Sequence, residues 1–325
     1  MGDAPAATSA PPDRSGVLVR LRLTNATFRG LTFGASITVL IILSGVIIAL
    51  VEGSLPALRH FGFGFLVSER WNPVTENFGA LAPIYGTLVT SIIAMVIAVP
   101  FGLLIAVFLT ELCPPWLRRP IGIAIELLAG IPSIIYGIWG LFIFAPFLQR
   151  TLQPALIDLF GPIPVLSNLF AGPPYGIGIL TAGLILAIMV LPFITSISRD
   201  VFDAVPPVLK EAAYGLGCTT WEVVRHVVIP FARVGVTGGV MLGLGRALGE
   251  TMAVTFVIGN AHRISASVLA PGTTISASIA NEFTEALGDL YTSSLVLLGL
   301  ILFVITFIVL AIARYLLMRI ERRIG

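Results

Sequence analysis

Charge is scarce in this 325-residue chain, where Asp, Glu, Lys and Arg together make up 11%. A soluble globular domain carries about 25%. Histidine and cysteine are nearly missing, with three and two residues. Cys113 and Cys218 form no CxxC, and no HExxH or Cys/His cluster occurs. No metal site is therefore expected. There is no GxxxxGK[ST] phosphate loop, so this chain is not expected to hydrolyse ATP by itself. Gly243-Leu-Gly-Arg-Ala-Leu-Gly249 comes close to a dinucleotide GxGxxG but has one residue too many and no preceding strand. A net charge of +2 is too small to imply nucleic acid. The start, MGDAPAATSAPPDRSG, is small, polar and Pro-rich rather than a secretory signal, and Ala6 stands where myristoylation wants Ser or Thr. Residues 1–30 read as a disordered tail.

Apolar length is what the chain has. Hydrophobic residues make up 57%, and the mean hydropathy is +1.00. Six windows near 31–51, 83–110, 121–148, 176–198, 234–258 and 293–313 are long enough to cross a bilayer as helices. The second and third contain Pro100 and Pro132, where kinks are expected. The fold class is therefore an all-α membrane protein of six transmembrane helices. Basic residues fix the orientation. Fourteen lie in the N-tail, the second and fourth connections and the C-tail, against Arg59, Arg70, Arg150 and Arg263 in the others. The first set should face the cytoplasm, with both termini inside. Both cysteines then fall on the reducing side. On the outside, residues 52–82 carry Phe61, Phe63, Phe65 and Trp71, either a membrane-surface anchor or a partner-docking element.

The fifth window holds two charges, Arg246 and Glu250. A central Arg costs about 2.5–3.5 kcal/mol on insertion scales, and this window is too rich in glycine to offset that. It should be surrounded by protein. Gly235, Gly239 and Gly243 recur every four residues, a ridge that permits close helix packing. Arg246 and Glu250 are also four apart, neighbours on one helix face, with Arg246 about 18 Å along from Val234 and so near the midplane. Two roles are open to the pair. It is either a self-neutralising ion pair that fixes packing, or an arginine presented to an anion in a pathway, with Glu250 holding or releasing it. Glu126 reads as a lone carboxylate snorkelling to the interface. Thr251 and Thr255 are expected to bond their own helix carbonyls. Ser133 and Tyr136, after Pro132, either line a pathway or pack. His226 is expected to be solvated.

The longest cytoplasmic connection reads KEAAYGLGCTTWEVVRHVVIP, residues 210–230. Glu211-Ala212-Ala213, then Gly217, then Val227-x-Ile229-Pro230 resembles the EAA motif of the membrane subunits of ABC importers. That family has Ile-x-Leu-Pro at the end, so Val227 and Ile229 are conservative departures. FGALAPIYGTLVTS (78–91), GIPSIIYGIWGLFIFAP (130–146), SRDVFDAVP (198–206) and GRALGETMAVTFVIGN (245–260) together are similar to the phosphate-specific permeases of that family. The last stretch favours one of its two related subunit types over the sister subunit. The resemblance implies a type I importer permease fold, with a core over 83–314 after a first helix and amphipathic loop (31–82), and a basic tail (315–325). It implies a multi-pass protein of the bacterial cytoplasmic (inner) membrane that imports inorganic phosphate. The sister subunit type, or a permease for sulfate or molybdate, is the alternative. Glu211, Ala212, Ala213 and Gly217 would form the coupling contact with an ATPase. The implied partners are a second, homologous permease subunit, an ATPase dimer and an extracytoplasmic phosphate-binding protein. The resemblance implies no cofactor on this chain, with ATP used by the partner. An anion channel has no need of such a loop, and an intramembrane enzyme would need a nucleophile or metal constellation that is not found.

Overall fold

The computed structural model describes residues 15–324, and residues 1–14 of the expected tail lie outside them. Contacts divide the chain into two units, one ending at Glu52 and one beginning at Gly53. Helix α1 is Ser15–Phe61. Residues 15–30, assigned by composition to a disordered tail, are thus helical. Leu31, Phe33 and Ile41 in the first unit are exposed, as lipid-facing side chains should be.

The second unit holds the core. Helix α2 spans Leu81–Leu112, α4 Ser133–Phe160, α5 Ile179–Asp203 and α7 Thr220–Gly249. Between them come α3, Pro115–Ala129, and α6, Pro207–Gly215. The chain then makes α8, Met252–Val257, and α9, Ile275–Glu282, before the closing helix α10, Asp289–Ile324. With the first, six helices are long and apolar enough to cross a membrane. The described residues contain no sheet, only an isolated bridge between Asn72 and Asn77.

Two expected spans are divided differently. Gly130-Ile131-Pro132 ends the amphipathic α3 and starts α4, so the window 121–148 belongs to two helices. Pro removes a helical donor and restricts the residue before it. Here the result is a break rather than a kink. The window 234–258 also breaks, because α7 stops at Gly249 and Glu250 is extended, with ψ 131°.

Helix α5 is the buried axis, with Ile185, Leu186, Val190 and Ile194 among its fully buried side chains. The glycine ridge of α7 lies against it as expected. A Cβ on Gly235 would fall 2.5 Å from Val201, and one on Gly239 or Gly243 would fall 3.0 Å from Ile197 or Ile194. On another side, Gly102 and Gly183 let α2 and α5 approach equally closely. The segment between α8 and α9 is irregular yet buried at Leu269 and Thr273. Its polar backbone is satisfied by neighbours, as buried non-helical chain requires. Ile179 N donates to Ala270 O at 3.2 Å, Leu180 N to Val268 O at 2.8 Å, and Ile275 N to Thr87 Oγ1 at 3.0 Å. Gly86 is what admits it, since a Cβ there would sit 1.9 Å from Thr273 O.

Candidate functional site

The two helix breaks face each other. Gly137, one turn into α4, packs directly on the start of α8, and its Cβ would lie 3.1 Å from Met252 O and 3.2 Å from Ala253 Cα. Tyr136, buried beside it, donates its hydroxyl across the first break to Leu128 O at 2.9 Å. Arg246 stands in the last turn of α7, just before the second break.

Arg246 and Glu250 do not form the pair that a continuous helix would give. The helix ends between them, so the four-residue spacing no longer places them on one face, and no ion pair joins them among the described residues. Glu250 Oε1 instead accepts from Ala253 N at 3.4 Å, at the start of α8. Arg246 places its guanidinium carbon 4.4 Å from the centre of the Phe193 ring of α5. The ring face stabilises the guanidinium cation but leaves its buried Nε without a hydrogen-bond partner among the described residues. Such a group suits an oxyanion, whose oxygens it can meet two at a time. Phe193 carried no signal in the sequence beyond lying in an apolar helix. Thr255 Oγ1 donates to Thr251 O at 2.8 Å, as expected, whereas Thr251 falls in the break rather than inside a helix, and its Oγ1 donates to Gly249 O at 3.3 Å. Ser133 is half-buried at the start of α4.

The EAA segment forms α6, none of whose residues is buried. Glu211 and Ala212 are exposed and Ala213 half-buried. Gly217 ends it with φ +86°, a left-handed conformation that favours glycine, in open space. Thr219 and Glu222 then cap α7 reciprocally. Val208, Leu209, Tyr214 and Leu216 expose apolar surface around the segment, and His226 is exposed as expected. Around these elements run ion pairs that the sequence does not reveal. Arg118 pairs with Asp203, Lys210 with Glu111, and Arg199 with Asp200 and Glu126. Glu126 is therefore not a lone snorkelling carboxylate. Gly122 makes room for that contact, because a Cβ would lie 2.7 Å from Arg199 Nη1.

Phe61, Phe65 and Trp71 of the segment 52–82 are at least half-buried. Phe65 is buried, and Trp71 stacks on His262 with ring centres 5.0 Å apart. Glu282 gathers the cluster: the Trp71 indole and the Tyr291 hydroxyl donate to Oε2, and His262 Nε2 lies 2.8 Å from Oε1. Burial pushes the Glu282 carboxyl up, but the contacts with His262, Tyr291 and Trp71 outweigh it and hold the group below its ordinary range. Of the expected surface anchors, Phe63 is the one that is strongly exposed.

Six apolar helices, with α5 the most buried of them, give the architecture of a multi-pass membrane protein. The chain belongs to the family described as "Binding-protein-dependent transport system inner membrane component", whose model matches residues 98–322. It is a multi-pass protein of the cytoplasmic membrane, with the fold of a type I ABC importer permease. Among curated proteins it is 72% identical, over 96% of its length and 95% of the other's, to the phosphate transport system permease protein PstC of Mesorhizobium japonicum. It is 59% identical to PstC of Pasteurella multocida, covering 92% of this chain and 93% of that one. Among solved structures, a chain of the bacterial alginate ABC transporter, crystallised with its pentasaccharide-bound periplasmic protein, shares the fold. The TM-score is 0.57, with 15% identity over 95% of this chain and 98% of that one.

Proposed function

We propose that this chain is the permease half of an ATP-driven importer of inorganic phosphate, and that Arg246 meets the anion in its pathway. The observation that carries the site assignment is the guanidinium of Arg246, its buried Nε unpartnered among the described residues, poised at two apposed helix breaks in a chain whose relatives are phosphate permeases. Broken helices around a binding site are a recurrent device in transporters. Glu250 stays close in sequence as a competitor that keeps the anion from being held too long. Glu211, Ala212, Ala213 and Gly217 form the coupling contact. They dock on a separate ATPase dimer (PstB-like), which alone binds and hydrolyses ATP. A PstA-like second permease completes the pathway, and a PstS-like binding protein delivers phosphate from outside. Both termini lie in the cytoplasm. ATP closes the motor, α6 moves with it, and the spans reorient between two states.

Radiolabelled phosphate uptake, in cells that lack their own system and express all four components, tests this. ATP-dependent uptake that excess sulfate or molybdate leaves unchanged is expected. Uptake blocked by either competitor would reassign the substrate, and no ATP-dependent uptake would remove the assignment.

A further inference from the structure

Helix α6 is a stub held at few points. Of its nine residues only Lys210 and Ala213 are even half-buried, and Gly217 beyond it is free of close neighbours. Lys210 provides the charged anchor. Its Nζ donates to Glu111 Oε1 at 2.6 Å and lies 3.4 Å from Phe202 O. The side chains of Glu111 and Lys210 are 6% and 18% exposed, whereas Asp203 and Glu126 in the neighbouring pairs are 43% and 53% exposed. The Glu111–Lys210 pair is thus the one that water screens least, and removing one partner strands a buried charge.

Glu111 is placed to transmit force. It lies in the π-helical turn Phe108–Leu112 that ends α2, and such turns are frequent at functional sites. Helix α2 lies against α5 through Gly102 on Ile194, and Ile194 also meets Gly243 of α7, three residues before Arg246. A packed, nearly continuous set of side chains therefore leads from Lys210 to the helix that carries Arg246, and close-packed contacts pass displacement on rather than absorb it.

We infer that Glu111 and Lys210 are positioning residues that carry the stroke of α6 into α2, so that ATP hydrolysis drives transport only while this pair is intact. The inference rests on α6 being the coupling helix. The pair touches neither the anion nor ATP. Its loss should uncouple the two activities rather than abolish both.

The test uses the whole complex in liposomes, supplied with phosphate-loaded binding protein, and reads ATP hydrolysed per phosphate imported. Glu111→Gln keeps the shape of the side chain and removes its charge. We expect ATP hydrolysis within about twofold of wild type and uptake about tenfold lower. The exchanged pair, Glu111→Lys with Lys210→Glu, should recover at least part of the coupling lost by Glu111→Gln. A ratio of ATP to phosphate unchanged in Glu111→Gln would overturn the inference. So would an exchanged pair no better coupled than Glu111→Gln, or hydrolysis and uptake falling in parallel with the amount of assembled complex. The wild-type complex separates this from the assignment beneath it: if it hydrolyses no ATP in response to loaded binding protein, the importer reading itself fails.

Discussion

An arginine in a membrane helix must recover an insertion cost of about 2.5–3.5 kcal/mol. Arg246 recovers part of it from the Phe193 face, a contact worth about 2 kcal/mol when shielded from water. No carboxylate neutralises it among the described residues. A purely structural arginine would normally be paired and hydrogen-bonded, because a buried unpaired donor is costly. Arg246→Gln keeps a polar side chain of similar reach and loses the charge. Phosphate uptake should fall at least about 100-fold, equivalent to roughly 2.8 kcal/mol, while the subunit still reaches the membrane and co-purifies with its partners. Phe193→Leu should cost less than about tenfold, since it removes only the ring contact. Uptake assays beside quantitative blots of the membrane fraction decide the matter, and normal uptake by Arg246→Gln would rule out an anion-binding role.

Helix α7 shows how much of an element its sequence can carry. The four-residue glycine spacing is a local pattern, and it meets α5 as expected because helix periodicity alone decides which side chains share a face. The same distinction makes a paired test. Gly235→Ala would push a Cβ to 2.5 Å from Val201 and should destabilise the subunit by about 1–3 kcal/mol. Gly238→Ala meets nothing within 4 Å and should be neutral or stabilising by up to about 1 kcal/mol. Thermal unfolding of the two variants in detergent should order them on either side of wild type, and equal midpoints would contradict the packing. The ends of elements were much less legible. Averaged over a membrane-length window, hydropathy stays high across Gly130-Ile-Pro132 and across Gly249-Glu-Thr251, because it counts apolar atoms and is blind to backbone direction. Only the Gly and Pro at the first break hinted at a stop. The second has only Gly249, which does not stand out among the other glycines of α7 and has no Pro beside it, and with that break went the expected contact of Arg246 with Glu250. The Glu282 cluster was out of reach for another reason: its partners, Trp71, His262 and Tyr291, come from separate parts of the chain and meet only after folding.

Across the whole molecule, the basic residues are unevenly distributed along the sequence. Fourteen fall in the N-tail, the second and fourth connections and the C-tail, and four in the other connections, and the basic set is expected to face the cytoplasm. Helix α6 and the ion pairs of Arg118, Arg199 and Lys210 fall in the connections rich in basic residues, and the Trp71–Glu282 cluster is built from the other connections. On the proposed coupling role, an inverted chain would present α6 to a compartment without ATP. The two native thiols report on this without any added probe. Cys113 follows α2 and Cys218 follows Gly217, both half-buried and unpaired, and both belong to the basic side. A membrane-impermeant maleimide should therefore label the chain in inside-out vesicles and leave it unlabelled in right-side-out ones. Thr75→Cys, in the exposed outer turn, made together with Cys113→Ser and Cys218→Ser, should show the reverse pattern. If the native thiols react from outside while the residue-75 thiol is protected, the charge asymmetry has been misread, and α6 cannot be the surface on which a cytoplasmic motor docks.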